Sequence, residues 1–152
     1  MTRVRTGARV PPGRSTHLAP GVVSETLDEG RIVIFTFADA AIATIDAAVE
    51  ALGDLMRRCD EAGWPLRVLL DLSQPDVILT PYAREQGVSL TRIRPRLRGR
   101  VALLAQEGTP VAHQVARVLR STLYQYRERS LFFHREQALD WLRALAEREP
   151  LS

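Results

Sequence analysis

Strands that alternate with one-sided helices predict an α/β fold: a mixed, mostly parallel sheet of about five strands with an antiparallel first hairpin and four helices. Short apolar runs without alternation, at 66–72 and 100–105, are typical of central strands that helices cover on both faces. The segments between the strands have apolar residues at every third or fourth position, which indicates amphipathic helices. Parallel strands need crossover connections, so this order favours helices packed on a sheet.

The first two strands are expected to form the hairpin. Segments 22–27 and 31–37 are rich in β-branched and aromatic residues, and the two acids and glycine at 28–30 suit a tight turn. The first helix then follows, with Thr44 as its expected N-cap and Gly63 as its expected stop.

Threonine followed by proline marks the start of the next two helices, at Thr80 and Thr109. We expect the first of these helices to end at Pro95 and the other to run to about Arg127. A short strand and a last helix complete the chain, at 130–133 and about 135–148.

Charge and composition divide the 152 residues into two parts. Residues 1–20 are predicted to be a disordered basic tail, because they contain four arginines, several prolines and no acid. Residues 21–152 form the single predicted domain, which is nearly neutral although the whole chain has a net charge of +3. The sequence has no apolar run that would suit a membrane span or a secretory signal, so we expect a cytoplasmic protein.

Catalytic and metal-binding patterns are missing from the sequence, and we expect neither an enzyme nor a cofactor. All 21 basic residues are arginine, which excludes a lysine Schiff base. The strings G-x-G-x-x-G and G-x-S-x-G do not occur, and the three histidines have no metal-ligand spacing. The single cysteine, Cys59, continues the apolar stripe of the first helix and is expected to be a buried core residue.

Four positions in the middle of the chain are candidates for a site. Asp71 ends a central strand, where open α/β sheets usually place ligands, although the favoured interpretation is that Asp71 and Ser73 bond local backbone. Thr80 is most simply a helix cap. Gly87 costs about 1 kcal/mol inside a helix relative to alanine, which indicates a close backbone approach, a helix that bends or moves, or mere tolerance.

Arginine recurs at every second position where the second helix ends, a pattern that suits binding of a phosphate or carboxylate. The favoured interpretation is instead a solvated helix end, where cations complement the helix dipole. This first stripe contains Arg92, Arg94, Arg96, Arg98 and Arg100. A second stripe is predicted on the polar side of the third helix, at His113, Arg117, Arg120, Tyr124 and Arg127. If both stripes face one way, they form a single cationic surface.

Three strings resemble the SpoIIAA-like proteins, relatives of the STAS domain. They are LLDLS at 69–73, GRVALLA at 99–105 and SLFFHREQALDWL at 130–142, where Trp141 is expected to pack the last helix on the sheet. Phosphorylatable members have a serine in a string like Asp-Ser-Ser-Gly before the second helix. This chain has Asp-Val-Ile-Leu-Thr-Pro there, so the resemblance gives no phosphorylated serine, and Thr80 is the nearest hydroxyl.

The resemblance implies a non-enzymatic regulatory or protein-interaction module that takes part in signalling. Its surface for a partner protein or ligand would contain Asp71, Ser73, Thr80, Gly87, Arg92, Arg94 and Arg96. The alternative is a small carrier of an apolar or anionic metabolite such as a lipid. A module should expose an apolar patch near Gly87 and lack a deep cavity, whereas a carrier needs an apolar cavity of about 300 Å³ or more. Homodimerisation and nonspecific nucleic-acid binding through the tail are further alternatives, the last disfavoured because the domain is not basic.

Overall fold

A computed structural model describes residues 15–121 and 127–146 of the chain. Six strands run in chain order: β1 Ser15–Ala19, β2 Val22–Leu27, β3 Ile32–Phe37, β4 Leu66–Asp71, β5 Gly99–Leu104 and β6 Arg127–Phe132. Four helices accompany them: α1 Ile42–Ala62, α2 Pro81–Leu90, α3 Pro110–Ser121 and α4 Arg135–Arg143. No helix in these two ranges has the length and apolarity needed to cross a membrane.

The strands form one sheet in the order β1-β2-β3-β4-β5-β6. The pairs β1·β2 and β2·β3 are antiparallel, and the remaining three pairs are parallel. The α/β fold class and the antiparallel hairpin are therefore confirmed, with six strands where about five were predicted.

Strand β1 is the strand that the sequence analysis did not predict. It lies at the end of the segment 1–20, which was predicted to be disordered. Ser15–Ala19 has little apolar character of its own, but its backbone pairs with β2, and Leu18 and Ala19 pack against the core. Order here comes from long-range pairing, which local composition does not reveal. Residues 1–14, where the rest of the predicted tail falls, lie outside the described residues.

Helices cover the two faces of the sheet unequally. On one face, α1 contributes the apolar stripe from Ile45 to Cys59, which packs on Phe35 and Val68. Next to it, α3 packs on the same face through Val111 and its neighbours. On the other face, α4 is the one covering helix among the described residues, and its buried side chains contact a second core that contains Ile32, Ile34, Leu69, Ala102 and Leu104.

Two helix boundaries confirm the sequence prediction. Thr80 is the N-cap of α2, and its Oγ1 accepts a hydrogen bond from the Ala83 amide at 3.0 Å. At the end of α1, Gly63 adopts the left-handed conformation with φ of 77°. Both signals are local, which is why the sequence reveals them.

Other boundaries were predicted wrongly. Thr44 is a buried residue inside α1 and not its N-cap, because the helix begins at Ile42 after Ala41. Helix α2 ends at Leu90, and the turns that follow it carry the chain as far as Pro95 without further helix. The last helix is also shorter than predicted.

Candidate functional site

An apolar cavity of about 210 Å³ lies between α2 and the sheet. Strands β3, β4 and β5 form its floor, α1 and α3 form its walls, and α2 forms its roof. Most of its lining is aliphatic or aromatic, as shown by Phe35, Leu52, Leu70, Val101 and Val115. The polar side chains at its margin are Asp39, Arg84, Gln86, Thr91, Arg127 and Arg129.

The cavity exists because α2 covers the core without filling it. None of the ten residues of α2, PYAREQGVSL, is buried, and the helix has only one leucine and one valine. Its half-buried Ala83 and Leu90 contact the edge of the core near its two ends. Between them the cavity is lined by Arg84, Gln86, Gly87 and Val88, none of which is a large apolar side chain that would fill the space beneath the helix.

Gly87 lies in this roof, and it is an exposed residue. A Cβ atom built on Gly87 would meet nothing within 4 Å. A close approach of another backbone therefore does not explain this glycine. The two remaining interpretations are tolerance of glycine and a helix that bends or moves.

Helix α2 is fastened at both ends. Near its start, the Tyr82 hydroxyl donates a hydrogen bond to the Asp46 carboxylate of α1, and this bond raises the pKa of the tyrosine. After its end, the buried guanidinium of Arg127 donates to five backbone carbonyl oxygens at 2.7 to 3.4 Å. The acceptors are those of Leu90, Thr91, Ile93, Arg94 and Leu97.

The sequence prediction for Arg127 was wrong. Arg127 is the first residue of β6 and not part of a cationic stripe on α3, which ends at Ser121. Its side chain points into the core side of the sheet, where burial lowers its pKa. Tyr124, another member of that stripe, lies outside the described residues. The sequence contains one indication that Arg127 begins a strand, namely its position shortly before the predicted strand 130–133. The same position is equally compatible with the end of the preceding helix.

A polar cleft of about 360 Å³ runs between α2 and α3, on the outer side of the cavity. Its lining consists of Arg84, Glu85, Val88, Ser89, Arg92, Val118 and Ser121. Three of these residues, Arg84, Val88 and Val118, also line the apolar cavity. The cleft and the cavity are therefore adjacent parts of one site.

The first arginine stripe is dispersed and does not form one surface. Arg94 pairs with Asp60 of α1 at 2.7 Å, whereas Arg100 pairs with Glu128 at 2.9 Å. Of the five arginines in the stripe, Arg92 alone lines the cleft. A single cationic surface built from both predicted stripes is therefore not present in the described residues.

Two of the dispersed arginines bond the end of α4 instead. Arg98 donates to the carbonyl oxygen of Ala146 at 3.3 Å, and Arg100 donates to that of Trp141 at 2.6 Å. The Arg100 guanidinium also lies 4.9 Å from the centre of the Trp141 ring, which packs against Phe132 as a core-sealing residue. These contacts complement the C-terminal dipole of α4, whereas the sequence prediction assigned both arginines to the end of the second helix.

Asp71 and Ser73 lie at the carboxyl end of β4 and bond each other. One oxygen of the buried Asp71 carboxylate accepts from the Ser73 amide at 3.0 Å and from its hydroxyl at 2.5 Å. These are the local bonds of the favoured interpretation. Neither residue lines the cavity or the cleft.

The thiol and the possible metal ligands of the described residues do not form a reactive site. Cys59 is buried as predicted, and burial raises the pKa of its thiol. Within residues 15–121 and 127–146, no three histidine, cysteine or acidic side chains are grouped as they would be to bind a metal ion. Of the seven predicted site residues, the structure brings only Gly87 and Arg92 to the cavity and its cleft.

Comparison with known proteins gives one informative likeness. No family model matches the chain, and no curated protein is significantly similar to it. A solved structure of an uncharacterized protein of the DUF3478 family with a SpoIIAA-like fold, from Shewanella loihica PV-4, is 17% identical with a TM-score of 0.53. The match covers 80% of this chain and 91% of that chain. The chain therefore has a SpoIIAA-like fold, as the three strings in its sequence indicated.

Proposed function

We propose that this chain, with its SpoIIAA-like fold, is a non-enzymatic binding module of STAS type that takes up a small apolar molecule beneath α2. The supporting observation is the cavity of about 210 Å³, whose lining is almost entirely apolar. Protein interiors are normally close-packed, so a cavity of this size leaves its lining without contacts. A ligand that fills it regains those contacts and removes its own apolar surface from water.

The size of the cavity limits the ligand. An apolar cavity of about 150 Å³ accepts benzene, so about 210 Å³ has room for about eight carbon atoms. This volume is smaller than the ~300 Å³ expected of a lipid carrier. A pure interaction module, in contrast, is expected to have no deep cavity at all. The proposed ligand is therefore a short chain or small ring, and not a whole diacyl lipid.

Entry of the ligand is expected at α2. This helix has no buried residue and contacts the core through its half-buried Tyr82, Ala83 and Leu90, so displacing the part between its two fastened ends exposes little apolar surface. Segments with few buried contacts open at the lowest free-energy cost. The cavity can then be filled without unfolding α1 or the sheet.

Calorimetric titration with 1-octanol tests this proposal. Wild-type protein is expected to bind octanol, and Val101→Phe, which fills the cavity floor, is expected to weaken binding at least about tenfold. Val33→Phe is the matched control, because Val33 lies on the same face of the sheet but outside the cavity lining. Absence of octanol binding to wild-type protein, or equal binding by both variants, would contradict the proposal.

A protein partner is the second candidate function. Ile42 and Ile78 expose 63% and 52% of their surface in the segments that follow β3 and β4, at the carboxyl edge of the sheet. Exposed large apolar residues suit contact with another protein or a second copy of this chain. A pull-down that loses its partner with Ile78→Ser would support this candidate.

We also propose that the protein is cytoplasmic and that it takes part in signalling.

A further inference from the structure

We infer that the ligand is an anionic amphiphile, whose carboxylate or phosphate head lies in the cleft between α2 and α3 while its apolar chain occupies the cavity. This inference rests on the proposed function and adds the chemical class of the ligand. It requires that the cavity and the cleft be continuous, and that the cleft be suited to an anion.

Three shared residues place the cavity and the cleft side by side. Arg84, Val88 and Val118 line both the apolar cavity and the polar cleft. Val88 and Val118 are half-buried residues on facing helices, so an apolar chain can pass between them. A molecule placed across this boundary has one end among aliphatic side chains and the other beside Arg84.

The charges of the cleft favour an anion. Arg84 and Arg92 both line it, one helical turn on either side of Val88 in sequence, and Glu85 is its one acidic residue. Ser89 adds a hydroxyl that is free to donate. Guanidinium groups bind carboxylates and phosphates through two parallel hydrogen bonds, so this combination suits either head group.

The distribution of unpaired arginines points to the same place. In the part of the chain that the structure describes, five arginine side chains have no hydrogen bond, ion pair or ring contact: Arg84, Arg92, Arg96, Arg117 and Arg120. Four of the five lie on α2, immediately after it, or on α3. Apart from Arg96, the other described arginines have partners, as Arg94 has in Asp60. The chain thus leaves cationic groups uncompensated on the two helices that flank the cleft.

Calorimetric titration with three eight-carbon probes separates the head from the chain. Octanoate and octyl phosphate are expected to bind at least about tenfold more tightly than 1-octanol, because one charge-assisted hydrogen bond adds that much affinity. The preference should decrease at high salt, because exposed charges are screened. Comparison of octanoate with octyl phosphate identifies which anionic head the cleft prefers.

Two variants test the position of the head group. In the double variant Arg84→Gln, Arg92→Gln, the affinity for octanoate and octyl phosphate should fall at least about tenfold, to the affinity that the same variant has for octanol. Arg96→Gln is the control, since Arg96 is equally unpaired but lies outside the cleft. The three substituted residues, Arg84, Arg92 and Arg96, are all exposed, so equal melting temperatures should confirm that the variants fold.

The outcomes distinguish this inference from the proposed function. If octanol binds as tightly as the two acids, or if the double variant keeps the preference, the inference is wrong while the proposed function stands. An equal loss in Arg96→Gln would also overturn it, because the effect would then be one of net charge. If none of the three probes binds, both the inference and the proposed function fail.

Discussion

Arg127, the first residue of β6, donates a hydrogen bond to the carbonyl oxygen of Ile93, 2.9 Å away in the turns that follow α2. Four neighbouring carbonyl oxygens accept from the same guanidinium. A buried arginine whose described acceptors are all backbone carbonyls acts as a shared cap for a helix end and the loop beyond it. This side chain joins the roof of the cavity to the edge of the sheet.

Replacement of Arg127 should therefore destabilise the protein. Arg127→Met is expected to lower the free energy of unfolding by about 3 kcal/mol, because buried carbonyl oxygens lose their donor. Urea unfolding followed by circular dichroism measures this. Arg127→Lys, which keeps the charge but not the planar fork, should recover only part of the loss. A loss of less than about 1 kcal/mol for the methionine variant would contradict this role.

An ion pair between the hairpin turn and α4 should make stability depend on pH. The Arg143 guanidinium bonds the Asp28 carboxylate at 2.8 Å and holds the pKa of that carboxyl below its ordinary value of 3.8. The ionised form is thus favoured in the folded state, so its stabilisation is present above that ordinary value and is lost as the pH falls through the lowered pKa. Both side chains are more than a third exposed, which limits the effect to about 0.5 kcal/mol.

Asp28→Asn tests this pair, because asparagine tolerates the left-handed conformation of residue 28, with φ of 54°. The variant should be about 0.5 kcal/mol less stable than wild type at neutral pH and equally stable near pH 2. Arg143→Gln should show the same loss with the same pH dependence. A difference that persists in acid would assign the loss to the turn geometry.

Gly87→Ala should stabilise the protein. No atom lies within 4 Å of the added Cβ, so the gain in helix propensity, up to about 1 kcal/mol, meets no opposing contact. Gly53→Ala in α1 is the matched control, with the same open surroundings. Gly99→Ala should instead be destabilising, because its Cβ would lie 2.5 Å from the Leu66 carbonyl oxygen. Urea unfolding of all three variants measures these changes.

A gain at Gly53 without one at Gly87 would be informative. It would mean that α2 is not part of the cooperative unit that unfolds with α1 and the sheet. The interpretation of Gly87 as a site of helix movement would then be favoured over mere tolerance.

The central sheet and the helix caps could be predicted from sequence because their signals are local. Apolar runs such as 66–72 mark strands that are covered on both faces, and Thr80 satisfies its cap within three residues. Strand β1 was missed because a polar segment becomes a strand only through the pairing that β2 offers. Arg127 was misplaced because its bonds reach back by more than thirty residues.

The candidate site was less accessible to sequence analysis. A cavity depends on how far α2 lies from the sheet, and only the lack of large apolar residues in PYAREQGVSL hinted that this helix would leave space beneath it. The alternating arginines suggested one anion site, but their side chains follow different elements, and Arg92 alone reaches the cleft. Arg84, its partner there, had no signal beyond its helical spacing.

Arg67 of β4 donates to the carbonyl oxygens of Leu142 and Leu145, more than seventy residues further along the chain. Because α4 is the helix that covers this face in residues 15–121 and 127–146, we expect the face to stay open during synthesis until residues 135–143 have left the ribosome. Ile32, Ile34 and Leu69 are exposed to solvent in the nascent chain throughout this interval. We therefore expect the nascent chain to be most prone to aggregation just before helix α4 emerges.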